Sequence, residues 1–181
     1  ELPGLDDDFV KDTSDFNTVD ELKADVRKEL EESAEKQADS KVESDIFEAV
    51  ISKLEGEIPE VMYDNKVNDM INDLSARLSQ QGIDLNTYLK FTGMTMDSLK
   101  TTYREQAEKQ VKLRLALEKI VELENIEAND EDIDKEYANI AEHYKMPVDT
   151  VKQYIRPEDI KLDVEVGKAV DMVKAEAVVE Q

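Results

Sequence analysis

Three aspartates at alternate positions, Asp130-x-Asp132-x-Asp134, match the first ligands of a calcium-binding loop. Such a loop needs a glycine at its sixth position for a sharp turn and a glutamate at its twelfth as bidentate ligand. Here those positions hold Lys135 and Ala141, so no metal site is expected. The only histidine, His143, stands in a polar stretch of a predicted helix, where a surface role is expected over catalysis or ligation. Asp6-Asp7-Asp8 is read as a helix start, because negative charge suits the positive end of the helix dipole. With 45 Asp and Glu among 181 residues, neighbouring carboxylates arise from composition alone and read as a solvated face. There is no GxGxxG, P-loop or GxSxG, and with no cysteine there is no thiol catalysis, disulfide or cysteine-based zinc site. No catalytic residue and no cofactor are expected. What remains is surface chemistry.

The residues suited to surface chemistry are methionines, tyrosines and leucines. Methionine is flexible and polarizable and adapts to many apolar partners, while tyrosine joins an apolar body to a polar tip. Met62, Met70, Met94, Met96 and Met146 run through the middle and later parts of the chain, with Leu74, Leu78, Leu99, Tyr103, Tyr137, Tyr144 and Tyr154 among them. Each is a candidate contact for an apolar partner. For any one of them, filling a gap in an ordinary core is the competing role.

These residues need elements to position them, and every element reads helical. Thr18-Val19-Asp20-Glu21 is a capping box, and no Pro or Gly follows until Gly56, so a helix is predicted from Thr18 to Leu54. Its apolar residues recur every fourth position, from Leu22, Val26, Leu30 and Ala34 to Val50 and Leu54. A step of four drifts about 40° per repeat, so this stripe travels around the helix and cannot meet one partner along its length. The stretch from Glu31 to Asp45 is nearly all charged and small residues. Such a helix spans about 55 Å, whereas a compact chain of this size has a diameter near 40 Å. An elongated fold is therefore expected.

A second helix is predicted from Pro59, placed at the first helical position, to Gly82, with Val67, Met70, Ile71, Leu74 and Leu78 on one face. A short helix runs from Asp84 to Phe91 and stops at Gly93. Thr95 then caps a third long helix to about Glu124. After Asn129, a helix over Asp130–Tyr144 is followed by a short one from Pro147 to Ile155. A last one runs from Pro157 to near Val179, with Gly167 as its weak point.

Composition permits a folded chain. Leu, Val, Ile and Phe make up 47 of 181 residues, about 26%, above the roughly 20% below which chains stay disordered. Five Gly and four Pro are too few for the turns of an all-β protein. A formal charge of −22 repels phosphate, so neither nucleic acid nor an anionic membrane is an expected partner. The apolar runs are too short for a transmembrane span or a signal peptide. The chain begins at Glu1, without an initiator Met, and reads as a piece of something longer.

Several motifs are familiar in their order. Leu2-Pro3-x-Leu5-Asp6-Asp7-x-Phe9, Val19-x-Glu21-Leu22-Lys23 and Val26-Arg27-x-x-Leu30 come first. Ile58-Pro59 opens a helix, and Ala107-x-x-x-Val111-Lys112-x-x-Leu115, Ile120 and Glu124-x-Ile126 follow. Together they resemble the C-terminal domain of bacterial trigger factor; Gly4 departs from the acidic residue expected there. The resemblance implies an all-α fold like that of the periplasmic chaperone SurA: an elongated body with a long spine helix and two helical arms. Residues 18–55 would be the spine, 59–111 the first arm, 111–128 the body, 129–166 the second arm and 167–181 a C-terminal body helix.

The resemblance also implies an ATP-independent, cytoplasmic chaperone that holds unfolded or nascent polypeptides in a cradle, and a homodimer is a further partner to test. In the family, a separate N-terminal domain docks on the ribosome and another domain isomerises prolyl bonds. The docking signature and the β-rich isomerase patterns are absent from this sequence, so it is expected to hold clients without enzymatic activity. The alternative is an acidic helical scaffold for one defined protein partner.

The spine and arms make a hydrodynamic prediction. Small-angle scattering should give a radius of gyration well above the ~16 Å of a compact chain of this length. A value at ~16 Å would remove the elongated architecture.

Overall fold

A computed structural model describes residue 4 and residues 6–178 of the chain. Among them there are eight α-helices and no strand. They are α1 Asp7–Thr13, α2 Val19–Ile51, α3 Glu60–Gln80, α4 Leu85–Thr92, α5 Met96–Glu124, α6 Asp130–Tyr144, α7 Val148–Tyr154 and α8 Pro157–Glu176. No helix among the described residues is long and apolar enough to cross a membrane. Leu2, Pro3, Leu5 and the segment from Val179 onward, all used in the sequence reading, lie outside the described residues.

The chain divides into two compact units, one reaching Asp45 and the other starting at Ile46. In the first, Asp6 caps α1 by accepting from the Phe9 N–H at 2.9 Å, as the acidic cluster predicted. Asp7 accepts from the Val19 N–H at 2.8 Å and so ties α1 to the start of α2. The Thr18 hydroxyl accepts from the Glu21 N–H as expected, but Glu21 reaches back to the Asn17 N–H, one residue before the position a capping box would use. Val10 is fully buried.

Helix α2 ends at Ile51, three residues short of the expected Leu54, and Gly56 follows in the intervening loop. No residue of α2 is buried. Every residue from Glu29 to Lys41 is exposed. Glu32 pairs with Lys28, one turn back, and Lys41 pairs with Asp45 at 2.7 Å. This stretch is therefore held by backbone hydrogen bonds, propensity and modest i,i+4 pairs.

In the second unit, α3 and α5 form a hairpin closed by α4. Pro59 is the residue before α3 and not its first helical residue: its ψ of 135° is extended, and its carbonyl accepts from Met62. At the far end, Gly82 has φ +76° and Gly93 has φ +69°, the left-handed backbone that glycine adopts without a Cβ clash. Val67, Ile71, Leu89, Leu99 and Ala107 form the hairpin core, with Met70, Leu74, Tyr88, Met94 and Tyr103 packed at its margin. Arg104 ties the start of α3 to α5. It pairs with Glu60, with Asp64 at 2.8 Å and with Glu108 at 2.7 Å, and lies 4.9 Å from the Tyr63 ring centre.

Past Ala107 the buried face of α5 changes partner. Leu117 and Val121 pack with Val166 and Ala169 of α8. The C-terminal turns of α2 are pinned to the same unit, through Lys109 to Glu48 at 3.1 Å and Lys174 over the Phe47 ring. A third core joins Tyr137 and Ala141 of α6, Val151 of α7 and Ile160 of α8. Helix α5 stops where Asn125 turns left-handed, and α6 stops at a left-handed Lys145. Neither position carries the glycine that marks such ends in a sequence. Helix α8 continues unbroken through Gly167.

The exposed middle of α2 has a defined energetic signature. Ala38→Gly should cost about 1 kcal/mol in unfolding free energy, the penalty of an exposed helix interior. A chemical denaturation series would reveal a hidden burial there as a much larger loss.

Candidate functional site

The acidic residues considered for metal binding have structural work. Asn129 and Asp132 cap α6 reciprocally, each side chain accepting from the other's N–H at 2.9 and 3.0 Å. Asp132 is also hydrogen-bonded by Lys168, which, with the Asn129 N–H, holds its carboxyl below the ordinary carboxylate range. Asp134 receives Lys152 of α7 at 2.6 Å. His143 is exposed on the last turn of α6, edge-on to the Tyr144 ring with centroids 5.0 Å apart. No polar or charged residue among the described residues is buried. The surface features that stand out are apolar.

The apolar candidates fall into two groups. Leu78, Leu99 and Tyr137 are buried, the last two only 3% and 2% exposed, so they serve cores in this conformation. The Tyr137 hydroxyl donates to the Ile155 carbonyl at 2.8 Å, which fixes the end of α7 against α6. Met70, Leu74, Met94 and Tyr103 are half-buried at the margin of the hairpin core. Six of these seven positions form the apolar stripes of α3, α5 and α6, and a stripe of helical period is what a core requires; Met94 lies in the α4–α5 turn. Met62, Met96, Tyr144, Met146 and Tyr154 are exposed.

The exposed group lies at helix ends. Phe91 and Met96 flank the turn that joins α4 to α5, and the Phe91 ring is 86% exposed. Tyr144, Met146 and Val148 lie together around the α6–α7 turn, and Tyr154 ends α7 at 79% exposure. On α2, Leu22, Val26, Leu30 and Ala34 line one open groove, with Leu30 65% exposed. Phe91 and Leu30 were not among the candidates drawn from the sequence. A signal for Phe91 was present: Leu85, Tyr88 and Leu89 define the inward face of α4, and Phe91 falls about 120° from it at 100° per residue. For α2, the stripe that circles its own helix already implied uncovered members.

Phe91 is firmly presented. Asp84 caps α4 at Thr87, Leu89 is buried in the hairpin core, and Gly93 closes the C-terminus. The Tyr144–Val148 turn is fastened by the Met146 N–H, which donates to the Ala141 carbonyl at 2.9 Å.

Fold and surface together define an all-helical protein with dispersed apolar patches on an acidic frame. Residues 18–175 match the family model described as the bacterial trigger factor protein C-terminus, and the chain belongs to that family. The trigger factor of Clostridioides difficile is 42% identical over 176 residues, covering 96% of this chain and 41% of that protein. That of Bacillus mycoides is 42% identical over 175 residues, covering 96% and 41%. That of Ruminiclostridium cellulolyticum is 41% identical over 161 residues, covering 89% and 38%. The chain thus spans about two fifths of the length of these relatives. A solved structure of trigger factor domains from Thermotoga maritima shares the fold. Its TM-score is 0.54 at 19% identity, covering 77% of this chain and 83% of that one.

The split between core and surface can be tested at Tyr137. Tyr137→Phe removes a part-buried hydrogen bond to the Ile155 carbonyl and should cost about 0.5–1.5 kcal/mol of stability. Binding of any apolar ligand per folded molecule should not change, because the hydroxyl faces inward. A urea titration reads the first quantity, and a binding isotherm on the folded fraction reads the second.

Proposed function

We propose that this domain holds unfolded or nascent polypeptides through several small apolar patches, prevents their aggregation and assists their folding and export without ATP. One observation carries the reading. Large apolar side chains, with Phe91, Tyr144 and Tyr154 foremost, are left exposed at separate, well-fixed helix ends. Each patch is weak alone, and a client that spans several gains affinity through effective concentration. Small separate patches also avoid one broad apolar face through which the protein would self-associate. Membership of the trigger factor family supports the same reading.

The long α2 is then the spine over residues 18–55, residues 59–111 and 129–166 are the two arms, and 111–128 with 167–181 make the body. In the whole protein, ribosome docking and prolyl isomerisation belong to other domains, the compartment is the cytoplasm, and a homodimer is a candidate assembly.

The −22 charge adds a long-range attraction for basic clients, screened beyond about 8 Å at physiological ionic strength. Holding is measured by refolding two unrelated aggregation-prone clients, one basic and one neutral, with this chain present. Both should be held, and added salt should weaken the basic client more. Phe91→Ser should weaken holding while the melting temperature barely moves, because the ring is exposed. Met70→Ser should lower the melting temperature and leave holding per folded molecule unchanged. Failure to hold either client, or tight one-to-one binding of a single protein, would favour the scaffold reading instead.

A further inference from the structure

The α6–α7 pair joins the rest of its unit at two places: the α5–α6 loop over residues 125–129, and α8. On α8, Ile160 and Val164 go to the α6–α7 core, and Val166 and Ala169, one on each side of Gly167, go to the α5–α8 core. These are separate apolar clusters, and polar contacts bridge the level where they divide. Lys168 donates to the Glu127 carbonyl at 2.9 Å, and Glu165 accepts from the Ala128 N–H at 3.2 Å. That carbonyl and that N–H belong to one peptide unit. Two side chains less than a turn apart on α8 therefore grip a single peptide of the loop from both ends. Lys168 also reaches Asp132 in the first turn of α6, and Lys161 supports Glu165 at 3.6 Å.

Gly167 lies between the two gripping residues. It is inside a 20-residue helix, exposed, and a Cβ built there would meet nothing within 4 Å. No neighbour requires a glycine, yet glycine costs a helix interior about 1 kcal/mol relative to alanine. Its effect is on stiffness, since glycine is among the few residues at which helices kink.

We infer that this junction is a latched hinge. Helix α8, unbroken in this structure, flexes at Gly167; the Glu165–Lys168 grip on the 127–128 peptide, with the Arg114–Asp163 pair beside it, holds one setting, and release of the grip lets the α6–α7 pair swing. The pair carries Tyr144, Met146 and Tyr154, so on the client-holding reading the hinge adjusts the spacing of patches to clients of different size. Glu165 and Lys168 are positioning residues in this scheme.

Because the chain has no cysteine, two introduced ones can be labelled cleanly. Spin labels on Ala138→Cys in α6 and Ala175→Cys in α8, both exposed sites, report the distance distribution across the junction. Replacing the grip with Glu165→Met and Lys168→Met should broaden that distribution. It should also speed hydrogen exchange of the Ala128 amide about tenfold, the loss of one charge-assisted hydrogen bond. Glu165→Gln with Lys168→Arg keeps acceptor and donor and should restore the narrow distribution. Gly167→Ala, which meets no atom and favours the helix, should raise the melting temperature, narrow the distribution and reduce holding of the larger of two clients. Equal widths for wild type and the double-Met variant would overturn the latch, and an unchanged width in Gly167→Ala would overturn the pivot. Absence of client holding by the wild type would remove the functional clause while the distance measurements still decide the hinge.

Discussion

Helix α5 serves two cores with different stretches of its surface, and the second unit depends on that division. Leu99 and Ala107 close the hairpin with α3 and α4, while Leu117 and Val121 support α8. A helix cannot bury two faces in two directions with one continuous stripe, so its pattern changes along its length. It is narrow through Leu99, Tyr103 and Ala107, and broad from Val111 onward. Helix α8 repeats this division between the α5–α8 and α6–α7 cores. Each apolar cluster is small, and the helices that run between clusters hold the unit together.

The scarce positive charge is used at those joints. Arg104 bridges α5 to α3, Lys109 bridges α5 to α2, and Arg114 bridges α5 to Asp163 of α8 at 2.7 Å. Lys152 bridges α7 to α6, and Lys168 bridges α8 to α6. Exposed pairs of this kind add little stability singly. Their value is orientational: in a chain with a large excess of carboxylates, a cation between two helices sets where they meet, and the remaining acids repel other contacts.

Much of the fold was legible because helix starts and stops have local chemistry. Asp6, Asp84, Thr95 and Asn129 cap where the sequence placed helix starts, and Gly93 ends α4 as read. Asn125 and Lys145 were not recognised as left-handed ends: asparagine favours that backbone after glycine and was a signal passed over, whereas at Lys145 the geometry overrides residue preference. Pro59 was displaced by one position because its ψ, which a sequence does not reveal, is extended. The surface was less legible than the fold. Met70, Leu74, Leu99 and Tyr137 have the right chemistry for binding, but periodic placement draws such residues inward. The residues left outside, such as Phe91, fall off the stripe, and a search for apolar faces passes over them.

Separate small cores also limit cooperativity. The hairpin core, the α5–α8 core and the α6–α7 core share helices but not a common apolar interior, so each can lose order at a free energy below that of the whole. A midpoint recorded by one probe then belongs to the core in which that probe resides, and Tyr103 and Tyr137 sit in different cores. A substitution in one core is then felt weakly by the next, which allows the helix ends of one region to change sequence while the neighbouring region keeps its structure.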